Sequence, residues 1–206
     1  MNARASSRAQ WMKRLHTWHW ISSALCLIGM ILFAATGITL NHAAQIPAKP
    51  RVERQQAVLP DALQASLRAV TDTQPAPLPA PLREWLAQRW SVVAEERAAE
   101  WRAEEIYLSL PRPGGDAWLS IDRATGEVEY ERTDHGWIAY LNDLHKGRHT
   151  GASWNWFIDL FAATCLMFSI TGLLLLKLHA PRRPSTWPLV GMGLAIPVLL
   201  LVLFHL

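Results

Sequence analysis

The sequence predicts a mainly α integral membrane protein: three transmembrane helices with a small α+β module between helices 1 and 2. Three observations carry that reading. Half of the 206 residues are hydrophobic, yet the mean hydropathy is only +0.07, so apolar residues must be segregated from polar ones. Three windows reach the roughly 20 apolar residues that a bilayer crossing takes. Residues 20–40 carry no charge, 154–176 carry only Asp159, and 186–206 carry none. The stretch between the first two windows has the turns, prolines and alternation of an ordinary folded domain. A soluble fold could bury one such run, but three are hard to hide in a chain of this length.

Taken in order, the expected parts are a cytoplasmic segment 1–19, transmembrane helix 1 over 20–42, an exported module with Pro-rich linkers over 43–150, helix 2 over 151–178, a cytoplasmic loop 179–185 and helix 3 over 186–206. Orientation follows from the basic residues. Arg4, Arg8, Lys13 and Arg14 precede the first span, and Lys177, Arg182 and Arg183 lie between the second and third. The positive-inside rule puts both groups in the cytoplasm. The module is then periplasmic in a bacterial inner membrane. The first apolar run is too long for a signal peptide, and no small-residue cleavage site follows it. The net charge of +3 calls for no nucleic-acid partner. Cys26 and Cys165 lie inside spans, in neither CxxC nor zinc spacing, and read as apolar packing residues.

Within the module, QIPAKPRVERQQAV reads as a tether, and LPDALQASLRAV has the three-to-four spacing of a short amphipathic helix. TQPAPLPAP reads as an extended linker, and PLREWLAQRW restarts a helix with Pro81 in its first turn. WLSIDRATGEVEYER reads as a hairpin, with Gly126 where positive φ is needed. Trp85, Trp90, Trp101, Trp118 and Tyr107 are the aromatic candidates for its core. A short helix carrying Leu141, Leu144 and His145 should follow, broken by Gly147 and Gly151.

The histidines are placed unevenly. His16, His19 and His179 sit at the inner ends of the spans, and His42, His145, His149 and His205 at the outer ends. Only His135 stands apart, in the module. Ionisable residues at membrane depth are costly and tend to mark sites. Haem held between helices needs an axial imidazole from each side, whereas a bare metal site wants three or four converging ligands. Without CxxCH, any haem is non-covalent. Asp159, near the mouth of helix 2, could accept a hydrogen bond from a ligand's second ring nitrogen. Interfacial histidines with no cofactor remain the third alternative.

LHTWHWISS ahead of span one, TGITLNH at its end, LNDLHKGRHTGASWNWFID at the mouth of span two and TGLLLL at its close together resemble the PepSY-associated transmembrane family, in its short three-span form. The hairpin is similar to that of a PepSY module. The resemblance implies an inner-membrane haem protein that moves electrons outward, some relatives being associated with ferric-siderophore reduction. The family's membrane histidines match His16, His42, His145 and His149. His19, His179 and His205 have no counterpart, and the larger reductases have an extra span and a fuller PepSY region.

On this reading the chain transfers electrons through one or two haem b groups. The outer would use His42 with His145 or His149, oriented by Asp159, and the inner His16 or His19. The protein would act as a ferric-chelate reductase or an electron-transfer subunit. The expected partners are the lipid bilayer, a cytoplasmic flavoprotein or quinol as donor, and a periplasmic ferric chelate or redox protein as acceptor. A homodimer is a further expectation, since three thin helices enclose a haem poorly. The alternatives are a membrane-anchored binding module without a redox cofactor, and a metal-uptake accessory handing an ion between His42, His145, His149 and His205.

Overall fold

The structure, a computed structural model, describes residues 2–47, 49–70, 73–94 and 97–205, with residues 2–6 and 205 described by backbone alone. The end of the third window at Leu206 and the side chain of His205 therefore lie outside the described residues. Among the described residues, three helices are long and apolar enough to cross a membrane: Ser7–Asn41, Ala152–Arg182 and Thr186–Phe204. The chain is a multi-pass membrane protein. It divides into two compact units, residues 1–33 with 156–206, and residues 34–155.

The first unit is helical. Helix α1 runs Asn2–Asn41 without a break. From residue 2 onward the expected cytoplasmic segment 1–19 is helical and continuous with the first span. The first glycine is Gly29 and no proline interrupts α1, so nothing in this stretch stops a helix. Two further membrane helices, named α5 and α6 by their place in the chain, span Ala152–His179 and Thr186–His205. Helices α1 and α5 pack closely through small residues. A Cβ on Gly29 would sit 2.4 Å from Phe161, whose ring stacks on Phe33 at 5.0 Å. Ser22 and Cys26 are 1% and 0% exposed in the same seam. Close backbone approach of this kind is how helices associate in lipid, where apolar burial gives no driving force.

The second unit is built on a six-stranded antiparallel sheet. Its strands are β1 (Arg51–Val58), β2 (Ala76–Pro77), β3 (Ala98–Trp101), β4 (Glu105–Ser109), β5 (Gly115–Asp122) and β6 (Glu127–Asp134), in the spatial order β1-β6-β5-β4-β3-β2. Helices α2 (Asp61–Arg68) and α3 (Ala80–Trp90) cover one face. Leu67, Leu82 and Leu86 from the helices meet Ile106, Leu108, Leu119, Ile121 and Val128 from the strands. The alternation of β5, with Ala117, Leu119 and Ile121 buried between partly open or exposed residues, is what one covered face demands.

Two expectations are corrected here. The RVERQQAV part of the tether is strand β1, paired with β6 from Arg51–Asp134 to Val58–Glu127. The core is aliphatic, not aromatic. Trp101 is buried and Trp85 and Trp90 pack at its margin, but Tyr107 and Trp118 are only partly buried and stack on each other at 6.3 Å. Period two sends them to the face opposite α2 and α3. The hairpin is as expected, joined at Gly126 with φ 74°. Helix α4 (Trp137–Lys146) follows and ends at Gly147 in the left-handed region. The turn at Gly114 receives α4 directly: a Cβ there would meet the Tyr140 backbone at 2.7 Å, and its N–H donates to Asp143 Oδ2 at 2.9 Å.

Candidate functional site

Each unit holds its own group of histidines. In the helical unit, His19 lies on the α1 face that meets α5. Its Nδ1 is 3.0 Å from Thr171 Oγ1, and that hydroxyl donates to the carbonyl of Met167 at 2.7 Å or Phe168 at 3.0 Å. The Thr171 oxygen therefore accepts and His19 Nδ1 donates, which in the neutral ring leaves the lone pair on Nε2. The ring also stacks on Phe168, with centroids 4.8 Å apart and planes within 14°. Gly172 leaves room for it, since a Cβ there would approach His19 Cε1 to 3.2 Å.

His179, in the last turn of α5, repeats the pattern. Its Nδ1 is 2.8 Å from the carbonyl of Leu175. A carbonyl only accepts, so Nδ1 donates here too, and in the neutral ring Nε2 holds the lone pair. His19 and His179 line one cavity of about 360 Å³ with Gly172, Leu175, Leu176 and Arg183. His16, the other inner candidate, does not line it. Its ring donates to Met12 O at 2.9 Å on an exposed part of α1. Sequence reading left His179 unassigned because 160 residues separate it from His19. The cue was its place one turn before the Arg182-Arg183 pair.

In the second unit the outer candidates separate. His145 turns toward α1, with Nδ1 2.7 Å from Thr36 Oγ1 and Cε1 3.6 Å from where a Gly37 Cβ would be. Beside it, Thr39 donates to Asn142, a residue 7% exposed. His42 is exposed and its ring donates to Ile38 O at 3.0 Å. His149, at φ 58°, has its Nε2 lone pair occupied by Arg148 Nε–H at 3.1 Å. It lines a cleft of about 250 Å³ with Asp116, His135, Asp143, Lys146 and Arg148. His135, which the sequence set apart, thus shares the cleft of His149, and lies 3.5 Å from Asp116. Asp159 is an exposed residue of α5, in the other unit. Among the described residues no three of His, Cys, Asp and Glu gather as a metal-binding group.

Neither the curated proteins nor the solved structures contain a match to this chain. A family model does match. It is the PepSY_TM-like model, and its alignment over residues 10–205 takes in every span, the hairpin and both histidine groups, so this chain belongs to the PepSY_TM-like family.

Proposed function

We propose that the protein carries electrons across a bacterial inner membrane on non-covalently bound haem b, with its N-terminus in the cytoplasm. The observation that carries this reading is the pair His19 and His179 around one cavity, each anchored through Nδ1 so that Nε2 is the nitrogen free to ligate. Two axial imidazoles satisfy a b-type haem, and an anchored Nδ1 proton is what fixes a ligating ring. Thr171 and the Leu175 carbonyl anchor those protons, and Phe168 holds the His19 plane. Leu175, Leu176 and Gly172 give the cavity an apolar side, and Arg183 offers a positive charge to carboxylate groups of the ligand. Haem, when bound, supplies reversible one-electron iron chemistry. At the outer end His145, held by Thr36, is the best-anchored ligand candidate, and His42 the partner to test with it. Electrons would come from a flavoprotein or quinol and pass to a ferric chelate or redox protein in the periplasm.

One observation favours the alternative of a binding module: the stacked, partly open Tyr107 and Trp118 on the sheet face opposite α2 and α3. The deciding measurement is a reduced-minus-oxidised spectrum of detergent-purified protein from haem-replete cells, with haem counted per chain. The expected result is a sharp α band that His19→Ala and His179→Ala each remove, while His135→Ala leaves it unchanged. A colourless wild type, or a double variant that keeps its full haem content, would transfer the assignment to the binding module.

A further inference from the structure

Helix α4 wears its apolar side outward. Trp137, Tyr140, Leu141 and Leu144 recur at the spacing that makes one helix face. Trp137 is 70% exposed and Tyr140 46%, with Leu141 and Leu144 half-buried beside them. The buried residue of the helix is a polar one, Asn142. It meets the last turns of α1, where Thr39 donates to its Oδ1 at 2.9 Å and Thr36 Oγ1 lies 2.7 Å from His145 Nδ1. Both threonines belong to the uncharged run 20–40 that the first crossing requires. Helix α4 is therefore fixed at the membrane end of that span. Beyond it, Trp154 in the first turn of α5 donates its indole N–H to Leu144 O at 2.8 Å. The outward face thus lies between the end of one span and the start of the next.

The two ends of this face are basic. Lys146 closes the helix and Arg148 follows it, both exposed. Near the first turn, Lys49 lines a cavity of about 240 Å³ with Ile46, Trp137 and Ile138. The helix's one acid, Asp143, turns into the module, where it accepts the Gly114 N–H. An aromatic and leucine stripe between cations is the composition that lies flat at the boundary of acyl chains and headgroups. Trp and Tyr rings settle there with the apolar body in lipid and the polar tip in water. We propose that α4 is an interfacial helix docked on an anionic leaflet at the C-terminal end of α1. Its Trp137–Tyr140–Leu141–Leu144 face would enter the boundary, and Lys49, Lys146 and Arg148 would meet lipid phosphates. The bilayer, not a soluble partner, is the occupant because the face is continuous with the two spans that flank it. Docking there holds the cleft of His135 and His149, which Lys146 and Arg148 also line, at the lipid surface. The proposal stands with or without haem.

The test is spin labelling of the full chain, its own cysteines changed to serine, in vesicles of phosphatidylcholine with and without phosphatidylglycerol. Labels on Tyr140→Cys and Leu144→Cys are compared with Ala124→Cys in the β5–β6 turn and Leu200→Cys in α6. Collision with oxygen reports lipid, and collision with a water-soluble nickel chelate reports water. The expected result is that the α4 labels favour oxygen, as the Leu200 label does, while the Ala124 label favours nickel. Removing phosphatidylglycerol should shift the α4 labels toward nickel, and Lys49→Gln/Lys146→Gln/Arg148→Gln should abolish that shift. An α4 label as open to nickel as the Ala124 label overturns the proposal, as does one indifferent to phosphatidylglycerol. Labels shielded from both reagents would mean cover by protein, a second copy or another chain, and equally overturn it.

Discussion

At the scale of single residues, the turn between β5 and β6 shows how much one side chain organises. Asp122 accepts the N–H groups of Ala124 at 2.8 Å and Thr125 at 2.7 Å. These hydrogen bonds, Thr125 foremost, hold its carboxyl below the usual range. Asp134 is lowered likewise, first by the Gly136 N–H and then by Arg112. A depressed folded pKa contributes stability that is present above the unfolded value and lost as pH falls through the folded one. The thermal midpoint of the module should accordingly stay level from neutral pH to about 5 and drop below about 4. Asp122→Asn should flatten that acid limb, and an unchanged limb would assign it to other carboxylates. The neighbouring Arg123 spans more structure. Its guanidinium donates to the carbonyls of Leu67 and Val70 at the end of α2 and to Arg102 O at 2.8 Å. Arg123→Ala removes a cation from a helix C-terminus and leaves several carbonyls unmatched. Urea unfolding should show a loss of about 2–3 kcal/mol.

At the scale of elements, the α1–α5 contact depends on Gly29. Its Cβ position lies inside the Phe161 ring edge, so Gly29→Ala should force the helices apart and cost about 1–3 kcal/mol. Phe161→Leu in the same chain should return part of that loss, and thermal unfolding of the four proteins in detergent measures the coupling. If the two changes are simply additive, the contact is not what limits the approach. Elements also differ in how legible they were. The spans, α2, α3, the hairpin and α4 could be read because composition, period and turn glycines all agree there. Strand β1 could not. RVERQQAV has no apolar alternation, being an edge strand exposed at nearly every position, and only its register with β6 makes it a strand. Trp118 was misplaced for a related reason: an aromatic residue in a strand reveals its period but not which face is covered.

At the scale of the whole molecule, three spans followed from hydropathy alone, because lipid tolerates few other solutions for the backbone. What hydropathy could not give is which helix faces touch. That His19 and His179 line one cavity depends on the azimuth of α1 against α5, which all-round apolar sequences leave unmarked. Orientation, by contrast, is a question of charge. Seven basic residues flank the membrane-facing ends at Arg4 to Arg14 and Lys177 to Arg183, and no acidic residue lies in either segment. The positive-inside rule therefore predicts that the α5–α6 loop faces the cytoplasm and the β5–β6 turn the opposite side of the membrane. Both places offer an exposed residue for labelling, Ser185 and Ala124. In a chain whose own cysteines are changed to serine, Ala124→Cys should react with a membrane-impermeant maleimide in cells with a permeabilised outer membrane. Ser185→Cys should react only once the inner membrane is broken. The opposite pattern would invert the topology, exchange the poles to which His19 and His145 belong, and reverse the direction in which electrons are proposed to travel.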